Sequence, residues 1–171
     1  MEVSETIKGY TASLDLGNGR LLDCYELPSG EKRVGFAGTS VALGYSKEWF
    51  GRLATRGKKL LKALQEEGYN GLEVTVSSET RGKTVTAKTI SVRDFVKVVG
   101  QDAIVNRNPK SITLLVAFAE VGIEKVINDL FTGNNTDYLL QKIEHYSQWT
   151  QEDLEAVLAY NREDARSLRL G

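Results

Sequence analysis

The 171-residue chain is poor in the residues that most often announce chemistry: it has one cysteine, one histidine and two prolines. A lone cysteine, Cys24, excludes an internal disulfide framework and a cysteine-rich zinc site. A lone histidine, His145, excludes every metal motif built on two histidines. No long hydrophobic run is present, and the most apolar stretch, Ile112 to Ala119, is far too short to cross a bilayer. The opening MEVSETIKGYTASLDL carries acidic residues and lacks the apolar core of a secretory signal. Reduced cysteine and no targeting segment point to the cytoplasm, with no membrane partner. Neither charge sign dominates, with 22 Lys+Arg against 23 Asp+Glu and a net charge of −1. That balance excludes a non-specific polycationic coat for nucleic acid.

The balance conceals a polarity. Residues 1–112 carry 17 basic and 13 acidic side chains, whereas residues 113–171 carry 5 and 10. Within the first part, 50–65 holds Arg52, Arg56, Lys58, Lys59 and Lys62 and no acidic residue. Such a run is either a solvated helix face or a phosphate-binding surface.

Local signals place the elements. Leu21–Leu27 and Lys32–Phe36 flank Pro28-Ser29-Gly30-Glu31, whose turn chemistry predicts a β-hairpin with Cys24 as a small buried hydrophobe. Thr39 or Ser40 is expected to cap a short helix ending at Leu43-Gly44, and Ser46 a second helix from Lys47 that breaks at Gly57. Two helices about a glycine turn make a helix-turn-helix outline. A second hairpin is expected over 71–90, with Ser77–Gly82 as a loop carrying Arg81 and with Lys83 just beyond it. Ser91 with Asp94 opens a helix, and Asn108-Pro109 opens another, read as one core helix running to Thr132-Gly133. Shorter helices follow over Asp137–Tyr146 and from Thr150. The expected fold is a single α+β domain over 1–171: two β-hairpins with a helix-turn-helix-like pair, then a helical C-terminal half.

Catalytic signals are sparse. The glycines of LGNGRLL precede a strand and lack a phosphate-loop lysine, so they read as a turn. No nucleophile elbow surrounds a serine, and His145 reads as a helix-end histidine. A metal-dependent nuclease would draw on Glu73, Glu79, Lys83 and Lys88, or Asp23 and Glu26, but Thr86 stands where a carboxylate two residues before Lys88 is required. No catalytic residue, metal ligand or cofactor is therefore assigned.

The helix-turn-helix outline assigns Ser46 and Lys47 to base edges and Arg52, Arg56, Lys58, Lys59 and Lys62 to phosphates, with Arg81 and Lys83 as further contacts. Tyr45, Trp49 and Phe50 fit core positions better than base-stacking ones. A strand pair, then SVALGYSKEWFGRL, then a second hairpin resembles the Bro-N-type domain of phage antirepressors, in which a small-x-x-LGY helix follows the first hairpin. The stretch LLVAFAEVGIEKVINDLFTG is similar to a helical segment of bacterial and phage proteins of that layout, and the resemblance spans residues 20–133. It implies a DNA- or protein-binding regulatory module of mobile-element type without catalytic residues. Duplex DNA is the expected partner. The apolar stripe Leu154, Val157, Leu158, Ala165 and Leu168 would serve a second copy in a homodimer, or a protein partner of the C-terminal helices. The alternatives are a protein-interaction module that opposes another regulator without touching DNA and, third, the nuclease.

Overall fold

The computed structural model describes residues 6–150, 152–157 and 159. It is an α+β fold in which a six-stranded mixed sheet is followed by a helical C-terminal half. The strands are β1 (Thr6–Lys8), β2 (Tyr10–Asp15), β3 (Leu21–Glu26), β4 (Lys32–Gly35), β5 (Val74–Thr80) and β6 (Lys83–Ser91). Between β4 and β5 lie α1 (Phe36–Ala42), a 3-10 turn (Phe50–Arg52), α2 (Leu53–Arg56) and α3 (Lys58–Glu66). After β6 come α4 (Val92–Val105), α5 (Pro109–Val121), α6 (Ile123–Phe131) and α7 (Asp137–Ser147).

Both expected hairpins form: β3 pairs antiparallel with β4, and β5 with β6. The second turn is tighter than expected. Strand pairing runs to Thr80↔Lys83, leaving only Arg81 and Gly82 in the turn, both at positive φ. Two such residues twist with the strands and hold the hairpin together to its tip.

Strands β1 and β2 have no counterpart in the sequence expectations, and they determine the sheet's shape. The strand order is β1-β5-β6-β4-β3-β2, so β1 and β2 form opposite edges, yet Gly9 alone separates them in the chain. The sheet must therefore curl until its edges meet. At Gly9 they do: its N–H donates to Ser77 O of β5 at 2.9 Å, while Glu26 O of β3 lies 2.9 Å from where a Cβ would stand. A barrel corner of this kind favours glycine because two backbones approach one α-carbon.

One sheet face, with Leu14, Leu22, Cys24, Val34 and Ile90, joins Phe95, Val98, Val99, Leu114, Ala117 and Phe118 of α4 and α5 in the main core. A smaller cluster of Tyr25, Leu27 and Val76, with Ile7, Val74 and Ala87 against it, packs across the seam between β1 and β3. Arg33 of β4 is buried, and its guanidinium donates to Glu31, to the Thr89 hydroxyl and carbonyl, and to Leu72 O. A buried cation persists only when its donors are met, as they are here.

The helical half follows its caps. The Ser91 hydroxyl accepts Asp94 N–H and the Asn108 side chain accepts Lys110 N–H, as the sequence predicts. Asp94 does not complete a capping box; its carboxylate accepts N–H from Asn70 and Gly71 and ties down the chain between α3 and β5. The expected long core helix is two. Gly122 at φ 81 and ψ 112 is non-helical, so α5 ends at Val121 and α6 starts anew. Residues 152–157 are helical behind the Thr150 cap, and Leu154 packs on Ala103, Ile112 and Val116. Leu158, Ala165 and Leu168 lie outside the described residues. Among the described residues no helix is long and apolar enough to cross a membrane.

Candidate nucleic-acid interface

The segment from α1 to α3 carries seven of the nine sequence-assigned contacts, and its path differs from a simple helix pair. Helix α1 starts at Phe36, three residues before the expected cap at Thr39. Ser40, read as a cap or as the small residue of a helix-turn-helix, instead accepts Phe50 N–H at 2.9 Å while donating to Phe36 O. Gly44 takes the left-handed conformation at φ 84, as expected.

Beyond Gly44 no regular helix starts at Lys47. Tyr45 and Trp49 stack face to face with centroids 4.1 Å apart, and Phe50 meets Phe36 edge-on at 4.7 Å. With Phe50 N–H taken by Ser40 Oγ rather than by a carbonyl four residues back, the chain descends through turns into the 3-10 turn and α2. The aromatic trio thus belongs to the fold, as its spacing suggests: Phe50 is buried, and Tyr45 and Trp49 pack against the core.

This platform is bolted to the helical half through Asp102. That carboxylate is wholly buried and accepts from the Tyr45 hydroxyl at 2.9 Å, Asn106 Nδ2 at 2.6 Å, Asn108 Nδ2 at 2.9 Å and the Ser111 hydroxyl. Asn108 also donates to Leu43 O, so the ends of α1, α4 and α5 meet at one side chain. Burial, then the hydrogen bond to Asp102, pushes the Tyr45 phenol up to about 12, which keeps it a donor. Sequence reasoning missed this residue. Its signal was position: Asp102 stands seven residues from Phe95, on the stripe of Val98 and Val99, while Ile104 faces outward.

Ser46, Arg52 and Arg56 come together around a notch of about 190 Å³, completed by Trp49, Leu53 and Gly57. Lys58, Lys59 and Lys62 lie on the solvent arc of α3, opposite buried Leu60 and Leu64. Helix α3 begins without a side-chain cap or an acidic residue in its first turn, so its dipole adds positive potential here. Among the described residues none of these five cations is in an ion pair; Lys32, Arg33, Lys88, Arg107, Lys125 and Lys142 are, and Lys8, Arg20, Lys47, Arg81, Lys83, Arg93, Lys97 and Lys110 are not. Lys47 is exposed but does not line the notch. Arg81 and Lys83 are exposed at the tip of the β5–β6 hairpin, and neither lines the notch beside α2.

Three of the four carboxylates considered for a nuclease, Glu73, Glu26 and Asp23, have other partners. Glu73 lies 3.9 Å from Lys88, Glu26 pairs with Lys32 at 2.6 Å, and Asp23 accepts the Ser13 hydroxyl. No group of three His, Cys, Asp or Glu converges as a metal site among the described residues. Cys24 is fully buried, and its thiol is pushed up to about 12 by burial and by neighbouring Asp23. His145 packs edge-on to Tyr146 and Trp149 near the end of α7. In comparisons with known proteins the chain matches no family model, no curated protein and no solved structure.

Proposed function

We propose that the chain is a non-enzymatic DNA-binding module of regulatory, mobile-element type, which contacts backbone phosphates through α2 and α3. The observation that carries this reading is the set of five exposed cations, Arg52, Arg56, Lys58, Lys59 and Lys62, without ion pairs among the described residues. Five such cations within eleven residues, with no acidic side chain anywhere in 50–65, concentrate positive charge on one stretch of surface, which favours an anionic partner. The resemblance of SVALGYSKEWFGRL to the Bro-N-type domain of phage antirepressors agrees with it. Lys47 is the base-edge candidate, Ser46 lies with Arg52 and Arg56 at the notch, and Arg81 and Lys83 at the hairpin tip are a second phosphate contact.

Phosphate contacts predict a salt law. Five contacts on duplex DNA give a logarithmic slope of about −4.5, so affinity drops about 500-fold between 50 and 200 mM salt. Arg52→Ala with Lys59→Ala reduces the slope to about −2.7 and the drop to about 40-fold. Fluorescence anisotropy on a labelled duplex measures both. Absence of binding at low salt, or a double variant that behaves as wild type, overturns the reading and leaves the protein-interaction module in its place.

A further inference from the structure

The notch beside α2 invites a more specific assignment, which rests on the nucleic-acid reading. We propose that it is the seat for one backbone phosphate of a nucleic-acid strand, gripped by Arg52 and Arg56 and by the Ser46 hydroxyl.

Size comes first. At about 190 Å³ the notch falls below the roughly 300 Å³ at which metabolite pockets begin, and it has room for about six water volumes. That suits a phosphate with a few waters and excludes a whole nucleotide. Charge comes second: the lining holds two guanidinium groups and no acidic side chain. Arg52 ends the 3-10 turn at the N-cap of α2 and Arg56 is the last residue of α2, four positions on, a spacing of about one turn that lets both forks approach one anion. Pre-organisation comes third. Trp49 forms one wall and is stacked on Tyr45, which Asp102 holds through its hydroxyl, while buried Leu53 packs beneath. The wall is in place before any ligand arrives, so the ordering cost at binding falls on the two exposed arginine side chains. From this seat the strand would continue across Lys58, Lys59 and Lys62, whose single charges follow the backbone without fixing its position.

Trp49 is its own reporter. In a Trp149→Phe protein it is the sole indole, and its emission is read while inorganic phosphate, or dimethyl phosphate as a diester, is added against sodium chloride at matched ionic strength. Phosphorus NMR line widths follow the same titrations independently of the indole. The expected result is a saturable response to both phosphates that chloride does not reproduce. It disappears in Arg52→Gln/Arg56→Gln. In Arg52→Lys/Arg56→Lys it weakens tenfold or more, because an ammonium keeps the charge and loses the fork. No response in either measurement, or a double-lysine variant equal to wild type, overturns the seat. A response to inorganic phosphate but not to dimethyl phosphate overturns its assignment to the backbone. Duplex binding by the same proteins separates this inference from the broader reading. Loss of the phosphate response with DNA affinity intact removes the seat alone. A saturable phosphate response without DNA affinity removes the DNA function instead.

Discussion

Replacing Gly9 by alanine tests the closure of the sheet at one atom. The added Cβ would stand 2.8 Å from Val76 Cγ1 and 2.9 Å from Glu26 O, against the 3.5–4.0 Å or so of a comfortable carbon contact. Neither neighbour can yield cheaply. Val76 is fully buried in the seam cluster, and Glu26 O belongs to the backbone of β3 opposite Tyr10. Overpacking of this kind costs about 1–3 kcal/mol, offset in part by the lower entropy of the unfolded alanine chain. A net loss of about 1–2 kcal/mol lowers the Tm of a domain this size by about 2–8 °C. Gly100 is the control: it lies inside α4, and nothing comes within 4 Å of its Cβ position. Gly100→Ala should therefore gain about 0.5–1 kcal/mol and raise Tm by about 1–4 °C. Thermal unfolding followed by far-ultraviolet circular dichroism compares the three proteins. If Gly9→Ala melts with wild type or above it while Gly100→Ala rises, the edges do not meet at residue 9.

Two further outcomes probe the interior. Asp102→Ala removes the acceptor of four donors and should cost about 2–5 kcal/mol in urea unfolding, with loss of the near-ultraviolet signal of the Tyr45–Trp49 stack; a cost below about 1 kcal/mol would refute its role as the junction. Cys24 should resist a disulfide reagent at pH 8 in the native protein and react at once in guanidinium, and rapid native reaction would contradict its burial. The folded chain keeps the Cys24 proton up to about 12 while an unfolded thiol loses it near 9.0, so stability falls as pH rises through that window. Cys24→Ala should flatten that decline, which denaturant titrations between those pH values would record.

The elements legible in the sequence are those whose signal is local. Pro28-Ser29-Gly30 makes a turn, Asn108-Pro109 starts a helix, and Gly44 and Gly133 end helices through their own backbone freedom. The basic run needed no fold to be seen, because charge is additive along a chain. Strands β1 and β2 were invisible for the opposite reason. Their ten-residue span offers Ile7 and Leu14 among mostly polar side chains, and they are strands only because β5 and β3 supply their hydrogen-bond partners. Helix continuity at Gly122 looked intact because an apolar period persists across it.

The sequence by itself determined that this is an α+β chain with a basic first part, an acidic second part and few residues able to do chemistry. Only the tertiary structure decided that the sheet closes at Gly9, that Asp102 joins three helix ends, and that Ser46, Arg52 and Arg56 share one notch while Arg81 and Lys83 lie outside it. The reason is physical: turns, caps and charge are properties of neighbours along the chain, whereas a seam, a buried acceptor and a cavity exist only where distant segments meet.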